Sequence, residues 1–185
     1  MIFKRINFGL VIFMLVSSLV LSLVEYIDIS RFFVYMGLIV SISLPFIFYK
    51  TNYRLSDKQL ILYYIFIFFA DYLGCVWNLY DYIGWYDVFV HFIAGIFIYI
   101  LGMFILKVNK LDSKFIFSIF FCLIFVMGIS GLWEVFEFSV DQLFGLDMQN
   151  VFYTGVRDTM EDMIIAFVGG IFYSEYLILQ VKQIS

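Results

Sequence analysis

The stretch Gly131-Leu-Trp-Glu-Val-Phe-Glu-Phe-Ser-Val-Asp141 closes a long apolar run, 115–130, that predicts a membrane-spanning helix. Glu134, Glu137 and Asp141 are spaced at i, i+3 and i+7, so a continuing helix places all three carboxylates on one stripe. One acid near the centre of a bilayer costs about 2.5–3.5 kcal/mol on the insertion scale. Because this cost recurs within one helix, the stretch indicates a polar site whose remaining groups come from elsewhere in the chain.

The composition is that of a polytopic membrane protein. Of the 185 residues, 64% are hydrophobic and 14% are charged, and the mean hydropathy is +1.02. Soluble domains are about 45–50% apolar and about 25% charged. A net charge of −4 without a basic patch excludes a nucleic-acid partner, and membrane lipid is the expected surrounding. Cys75 and Cys122 lie at different depths of apolar runs, which predicts free thiols.

Six apolar runs each approach the length of about 20 residues that a membrane span requires. They show no strand-like alternation, and only helices or closed barrels cross lipid. The sequence therefore predicts an all-α polytopic bundle of about six transmembrane helices, forming one integral membrane domain, 1–185. The predicted spans are 7–24, 32–49, 59–77, 88–106, 115–139 and 159–179.

Lysine and arginine are distributed unequally between the two sides of these spans. The N-terminal segment, the second and fourth loops and the tail carry nine basic residues, whereas the other loops carry only Arg31 and Arg157. The positive-inside rule then places both termini in the cytoplasm of a multi-pass cell-membrane protein. Twelve of the fifteen acids fall in the opposite half or its loops, which predicts a polar site toward the extracytoplasmic side.

Four of the predicted spans carry polar groups to this membrane level, and glycines on the same spans favour close helix contact. Carboxylates in such a group cannot all be ionised without compensation, so they either share protons or hold a metal ion. Carboxylate oxygens with one imidazole suit magnesium, manganese or calcium better than zinc. The predicted metal ligands are Glu134, Glu137, Asp162, Asp71 and Asp158.

Other polar residues of the group are predicted to move protons or to contact a substrate. His91 and Asp87, at i+4 and i, are the candidate catalytic acid–base pair. The candidate substrate-binding residues are Arg157, Asp141 and Asn78. Helix capping remains an alternative for Asp87 and Asp158. A hydrogen bond to Asp87 or to a backbone carbonyl remains one for His91, and pairing with Asp158 remains one for Arg157.

Three motifs together resemble the YjdF-like family (DUF2238) of polytopic inner-membrane proteins. They are Tyr86-Asp87-x-x-x-His91-x-x-x-Gly95, Trp133-Glu134-x-x-Glu137, and Asp158-x-x-x-Asp162-Met163 followed by Ala166 and Gly169-Gly170. The resemblance covers roughly 71–170 and implies a membrane bundle with this acidic signature. It implies no reaction, because the family has no assigned activity. Glu161 stands where the family has an aromatic residue or glutamine, which leaves open whether Glu161 or Asp162 points inward.

Three functions remain open from the sequence. The first is a divalent-metal-dependent enzyme that acts at the outer leaflet on a lipid, a lipid-linked molecule or a small molecule. The second is a cation- or proton-coupled transporter, because acids with a histidine in spans mark ion paths. The third is a non-catalytic membrane component whose acidic core fixes helix packing or binds a partner. The sequence contains no HExxH or GxSxG motif, and it does not specify the oligomeric state.

Overall fold

A computed structural model describes residues 2–24, 29–112 and 114–184, and within these ranges the chain is helical with no strand. The predicted all-α class is therefore confirmed. Two of the acids assigned to outer loops, Glu25 and Asp28, lie outside the described residues. The α-helices are α1 Ile2–Val24, α2 Ile29–Ile47, α3 Asp57–Ile67, α4 Leu79–Tyr82, α5 Tyr86–Val108, α6 Phe115–Phe144, α7 Val151–Thr154 and α8 Arg157–Ile184.

Within the described ranges, five helical stretches are long and apolar enough to cross a membrane, and a shorter apolar one, Arg31–Ile47, corresponds to the second predicted span. Several helices extend past the predicted bounds: α6 continues to Phe144 rather than to 139, and α8 to Ile184 rather than to 179. Hydropathy marks where the apolar run stops, but α6 itself ends at Gly145. That residue adopts a left-handed conformation with φ 67°, which is the usual helix C-terminus.

The third span changes its helix type along its length. It begins as α3, where Ser56 and Gln59 form a capping box, and it continues without a break as a π-helix, Phe68–Val76. Asp71 lies inside this π-helix. A π-helix closes i→i+5 hydrogen bonds, so it interrupts the α-helical periodicity by which Asp71, Gly74 and Asn78, at i, i+3 and i+7, would share one face.

The chain divides into two compact units, Met1–Tyr86 and Asp87–Ser185. In the first unit, tyrosine hydroxyls join neighbouring helices. The Tyr63 hydroxyl donates to the Ser41 carbonyl at 2.6 Å, and the Tyr72 and Ser17 hydroxyls are 2.8 Å apart. These bonds satisfy phenol groups that would otherwise be buried without a partner. That the whole chain forms one membrane domain stays a prediction.

In the second unit, α5, α6 and α8 approach closely at small residues, as the glycines predict. A Cβ atom added at Gly95 would overlap the Ala166 carbonyl oxygen, and one added at Gly169 would overlap the Phe92 carbonyl oxygen. The backbones of α5 and α8 are therefore in direct contact. Cys122, a free thiol like Cys75, lies fully buried on α6 beside the same core. The predicted free thiols are confirmed.

We expect Gly95→Ala to destabilise the protein, because its new methyl group has no space against the backbone of α8. Overpacking of this kind costs about 1–3 kcal/mol. Gly128→Ala is the matched control, since nothing lies within 4 Å of a Cβ at Gly128. The measurement is the melting temperature of each purified variant in detergent. Equal melting temperatures for the two variants would contradict the backbone contact.

Candidate metal centre

Three side chains of the second unit converge on one point. Asp87 and His91 lie one turn apart on α5, and Asp162 comes from α8. His91 Nε2 is 3.4 Å from Asp87 Oδ1 and 3.8 Å from Asp162 Oδ2. One ligand atom from each of the three residues lies within 4.8 Å of the others. No other group of this kind is found in the part of the chain that the structure describes.

The contact between α5 and α8 explains this convergence. Gly95 follows His91 by four residues on α5, and Ala166 follows Asp162 by four residues on α8. Residues four apart lie on the same face of a helix, one turn above one another. Because Gly95 touches Ala166, the turns that precede them bring His91 and Asp162 together. A larger residue at Gly95 would separate the two ligands.

The three side chains differ in their access to the surroundings. The side chains of Asp87, His91 and Asp162 are 37%, 14% and 9% exposed, so the group is open at Asp87 and closed at Asp162. Glu161 points away, because it is exposed and its Oε1 accepts a 2.7 Å bond from Arg157 Nε. The question left open by the sequence is thereby answered: Asp162, not Glu161, faces the group.

The comparison with protein families matches residues 7–183 to a family described as predicted membrane protein (DUF2238). The chain belongs to this family. The resemblance seen in the motifs is thus confirmed, and it extends to the first two spans. No curated protein and no solved structure matches the chain.

A glutamine that the sequence analysis missed organises the acidic stripe of this DUF2238 protein. Gln149, buried in the loop after α6, donates from Nε2 to Glu134 Oε2 at 3.2 Å, to the Glu134 carbonyl at 3.1 Å and to Thr159 Oγ1 at 3.1 Å. Glu134 is 5% exposed, and its Oε1 has no hydrogen-bond partner among the described residues. One carboxylate oxygen is therefore held in place while the other remains available.

The three acids of the α6 stripe have different surroundings. Glu134 is buried against Gln149, whereas Glu137 Oε1 accepts a 2.8 Å bond from Trp133 Nε1. The Asp141 carboxylate accepts bonds from the backbone N–H groups of Met148 and Gln149, at 2.7 Å and 3.1 Å. Asp141 thus fixes the loop that carries Gln149, a structural task that leaves its predicted contact with substrate untested.

Five carboxylates act electrostatically on the single imidazole. Asp87 and Asp162 flank His91 directly, and Glu137, Glu134 and Asp158 also interact with its charge. One imidazolium cannot compensate five carboxylates. The group therefore requires either shared protons or a bound cation, which is the choice that the sequence also left open.

The remaining predicted residues are distributed over both units. Asp158 interacts with the charges of Asp87 and His91 and hydrogen-bonds with Asn150, so it borders the group. Arg157 is exposed and paired with Glu161. Two predicted residues belong to the first unit and have partners there. Asp71 hydrogen-bonds with Ser41, and Asn78 Oδ1 accepts from Arg31 Nη1 at 3.0 Å. Their predicted roles in one shared site stay predictions.

We expect Gln149→Leu to destabilise the second unit, because it removes the amide that bonds both the buried Glu134 carboxylate and the Glu134 backbone carbonyl. An unsatisfied buried polar group costs about 1–3 kcal/mol, and more when it is charged. Gln142→Leu makes the same change at an exposed position of α6 and serves as the control. The melting temperature in detergent should fall for Gln149→Leu only. A comparable fall in both variants would show that Gln149 has no special task.

Proposed function

We propose that this protein is a divalent-metal-dependent membrane enzyme that acts on an ester or phosphoester of a lipid or lipid-linked molecule. Asp87, His91 and Asp162 bind the ion. The single observation that carries the proposal is the convergence of these three side chains from two helices to within 4.8 Å. One nitrogen and two carboxylate ligands favour manganese, magnesium or calcium over zinc, which prefers more nitrogen or sulfur ligands.

The distances within the group leave room for an ion, although His91 also forms a long hydrogen bond with Asp87. The separations of 3.4 Å and 3.8 Å from His91 Nε2 exceed ordinary N–H···O hydrogen bonds, which are about 2.7–3.2 Å long. Neighbouring ligands of an octahedral ion, bound at about 2.1–2.4 Å, are separated by about 3.0–3.4 Å. The separations of 3.4 Å and 3.8 Å are therefore close to those between neighbouring ligands of one ion.

The chemistry follows from the ion and the nearby free carboxylate oxygen. A bound divalent ion polarises a phosphoryl or carbonyl oxygen and makes its bound water a stronger nucleophile. Such a water would attack phosphorus or the carbonyl carbon, and the bond to the leaving alcohol oxygen would break. Glu134 is the candidate base, because its Oε1 is buried and has no hydrogen-bond partner among the described residues. It accepts the water proton and returns it to the leaving oxygen.

The depth of the ligands favours a lipid substrate. Asp87 is the second residue of α5, and His91 and Asp162 are each the sixth residue of their helices. At a rise of 1.5 Å per residue, all three Cα atoms lie within about 8 Å of a helix start. Since α5 and α8 are membrane spans, this depth corresponds to the headgroup region rather than to the centre of the bilayer.

The second unit offers little support for a carrier. Beyond the ligand group, the buried polar side chains in the described part of this unit include three serines, each bonded to a carbonyl of its own helix, and these serines do not form a continuous polar path. They are Ser118, Ser130 and Ser174. A transported ion requires such a path or a rearrangement that opens one. The core residues are Ile98, Tyr99, Leu106, Cys122, Val126 and Ala166.

We expect the purified protein, stripped with a chelator, to bind Mn²⁺ stoichiometrically and to melt at a higher temperature when the ion is present. Asp162→Asn and His91→Ala should lose this binding. Glu161→Gln, which changes the adjacent exposed acid, should retain it. Isothermal titration calorimetry and elemental analysis measure the effect. Absence of binding by the unmodified protein to Mn²⁺, Mg²⁺ and Ca²⁺ would overturn the proposal.

Catalysis is tested separately from binding. The metal-loaded protein, reconstituted with a mixture of phospholipids, should release a water-soluble headgroup or a fatty acid that mass spectrometry detects. Asp162→Asn should be inactive, and Glu161→Gln should be active. Metal binding without any product, together with Mn²⁺ uptake into liposomes, would instead favour the transporter.

We also propose that both termini are cytoplasmic and that the metal centre faces the extracytoplasmic side. The supporting observation is the excess of lysine and arginine in the terminal segments and the second and fourth loops. In intact cells, a membrane-impermeant maleimide should label Asp81→Cys, in the third loop, and should not label Asp112→Cys, in the fourth. Both positions are exposed, and the unsubstituted protein controls for Cys75 and Cys122. The reverse labelling pattern would invert the topology.

A further inference from the structure

The loop between α6 and α8 presents an apolar surface that the proposed enzyme does not use. Phe152 and Tyr153 are 82% and 89% exposed, and Val151 and Val156 are also exposed. We refer to these four residues as the loop tip. Single exposed apolar residues are ordinary, but four within six positions of one loop form an apolar patch. Such patches usually mark a site that contacts a protein or a membrane.

Hydrogen bonds hold the loop tip in this exposed position. Asp147 Oδ1 accepts from the Val151 N–H at 2.8 Å and caps the short helix α7. Behind it, Asp141 binds the Met148 and Gln149 N–H groups, and Gln149 contacts Glu134. The loop is thus fixed to α6 from within. The exposed position of the aromatic side chains is therefore fixed by hydrogen bonds within the loop and to α6.

We propose that the loop tip inserts into the lipid interface of the leaflet in which α6 ends and α8 begins. The loop tip follows α6 in the chain by a few residues, and Leu143 and Phe144 at the end of α6 are exposed apolar residues within a candidate membrane span. The only charged residue of 145–156 is Asp147, which already caps α7. Aromatic side chains are enriched at this depth, where their rings pack among headgroups.

The size of the patch favours lipid over a second copy of the chain. A stable protein interface buries about 800 Å² on each partner, and a single aromatic side chain supplies about 150–250 Å² at most. Two aromatic residues and two valines do not reach that area. A lipid surface has no such threshold, since each buried apolar side chain contributes independently. This inference concerns the position of the loop in the membrane and does not depend on the metal.

The test measures the depth of a tryptophan placed at the loop tip. Phe152→Trp and Tyr153→Trp are reconstituted into lipid nanodiscs, where both faces are open to solvent, and the emission of the unsubstituted protein is subtracted. We expect the added emission to be shifted to the blue, to be quenched by brominated phospholipids and to be unaffected by aqueous iodide. Asp112→Trp, at an exposed charged position of another loop, should show the opposite pattern.

Two results would overturn the proposal. Quenching of both loop-tip variants by iodide alone would place the loop in water. Resistance to both quenchers, together with a doubled protein mass in the nanodisc, would make a second copy the occupant. Two positions are used so that one poorly folding variant, recognised by a broadened size-exclusion profile, still leaves a reading from the other.

Discussion

The candidate metal centre depends on one backbone contact, that of Gly95 on α5 with the Ala166 carbonyl on α8. It brings two helices together one turn away from His91 and Asp162. In lipid, helix association has no hydrophobic driving force comparable to that in water, so close packing at small residues takes its place. The second contact, of Gly169 with the Phe92 carbonyl, fixes the relative rotation of the same pair. Larger residues at these two positions would separate α5 from α8, and with them the His91 imidazole from the Asp162 carboxylate.

The position of the contact also determines the depth and the exposure of Asp87, His91 and Asp162. Because Gly95 and Gly169 hold α5 against α8 within the span, the first turns of the two helices are joined near the membrane surface rather than at its centre. There the charged groups avoid the full cost of burial in hydrocarbon. Asp87 remains partly exposed while Asp162 is closed in, so the proposed ion and substrate would reach the group from the Asp87 side.

Much of the fold was predictable from the sequence, because lipid restricts a spanning backbone to helices and apolar runs mark them directly. The π-helix over Phe68–Val76 was not, since hydropathy reports burial in lipid and not the hydrogen-bond pattern. Within the site, the acids and His91 could be identified because ionisable groups are costly in a span. Gln149 could not, because an amide in a polar loop resembles any solvated loop residue. The sequence could not show which of Glu161 and Asp162 faces His91, because adjacent helix residues differ only in their direction around the helix axis. The structure shows that it is Asp162.

The α6 stripe shows why regular spacing predicts a shared face without predicting a shared role. Glu134, Glu137 and Asp141 occupy successive turns, yet their surroundings change along α6. The buried Glu134 is bonded by Gln149, Glu137 is bonded by Trp133, and Asp141 binds loop backbone. Asp141 and Glu134 are connected through Gln149, because Asp141 fixes the loop that delivers its amide. The stripe is therefore structurally coupled: Asp141 positions Gln149, and the Gln149 amide orients the Glu134 carboxylate.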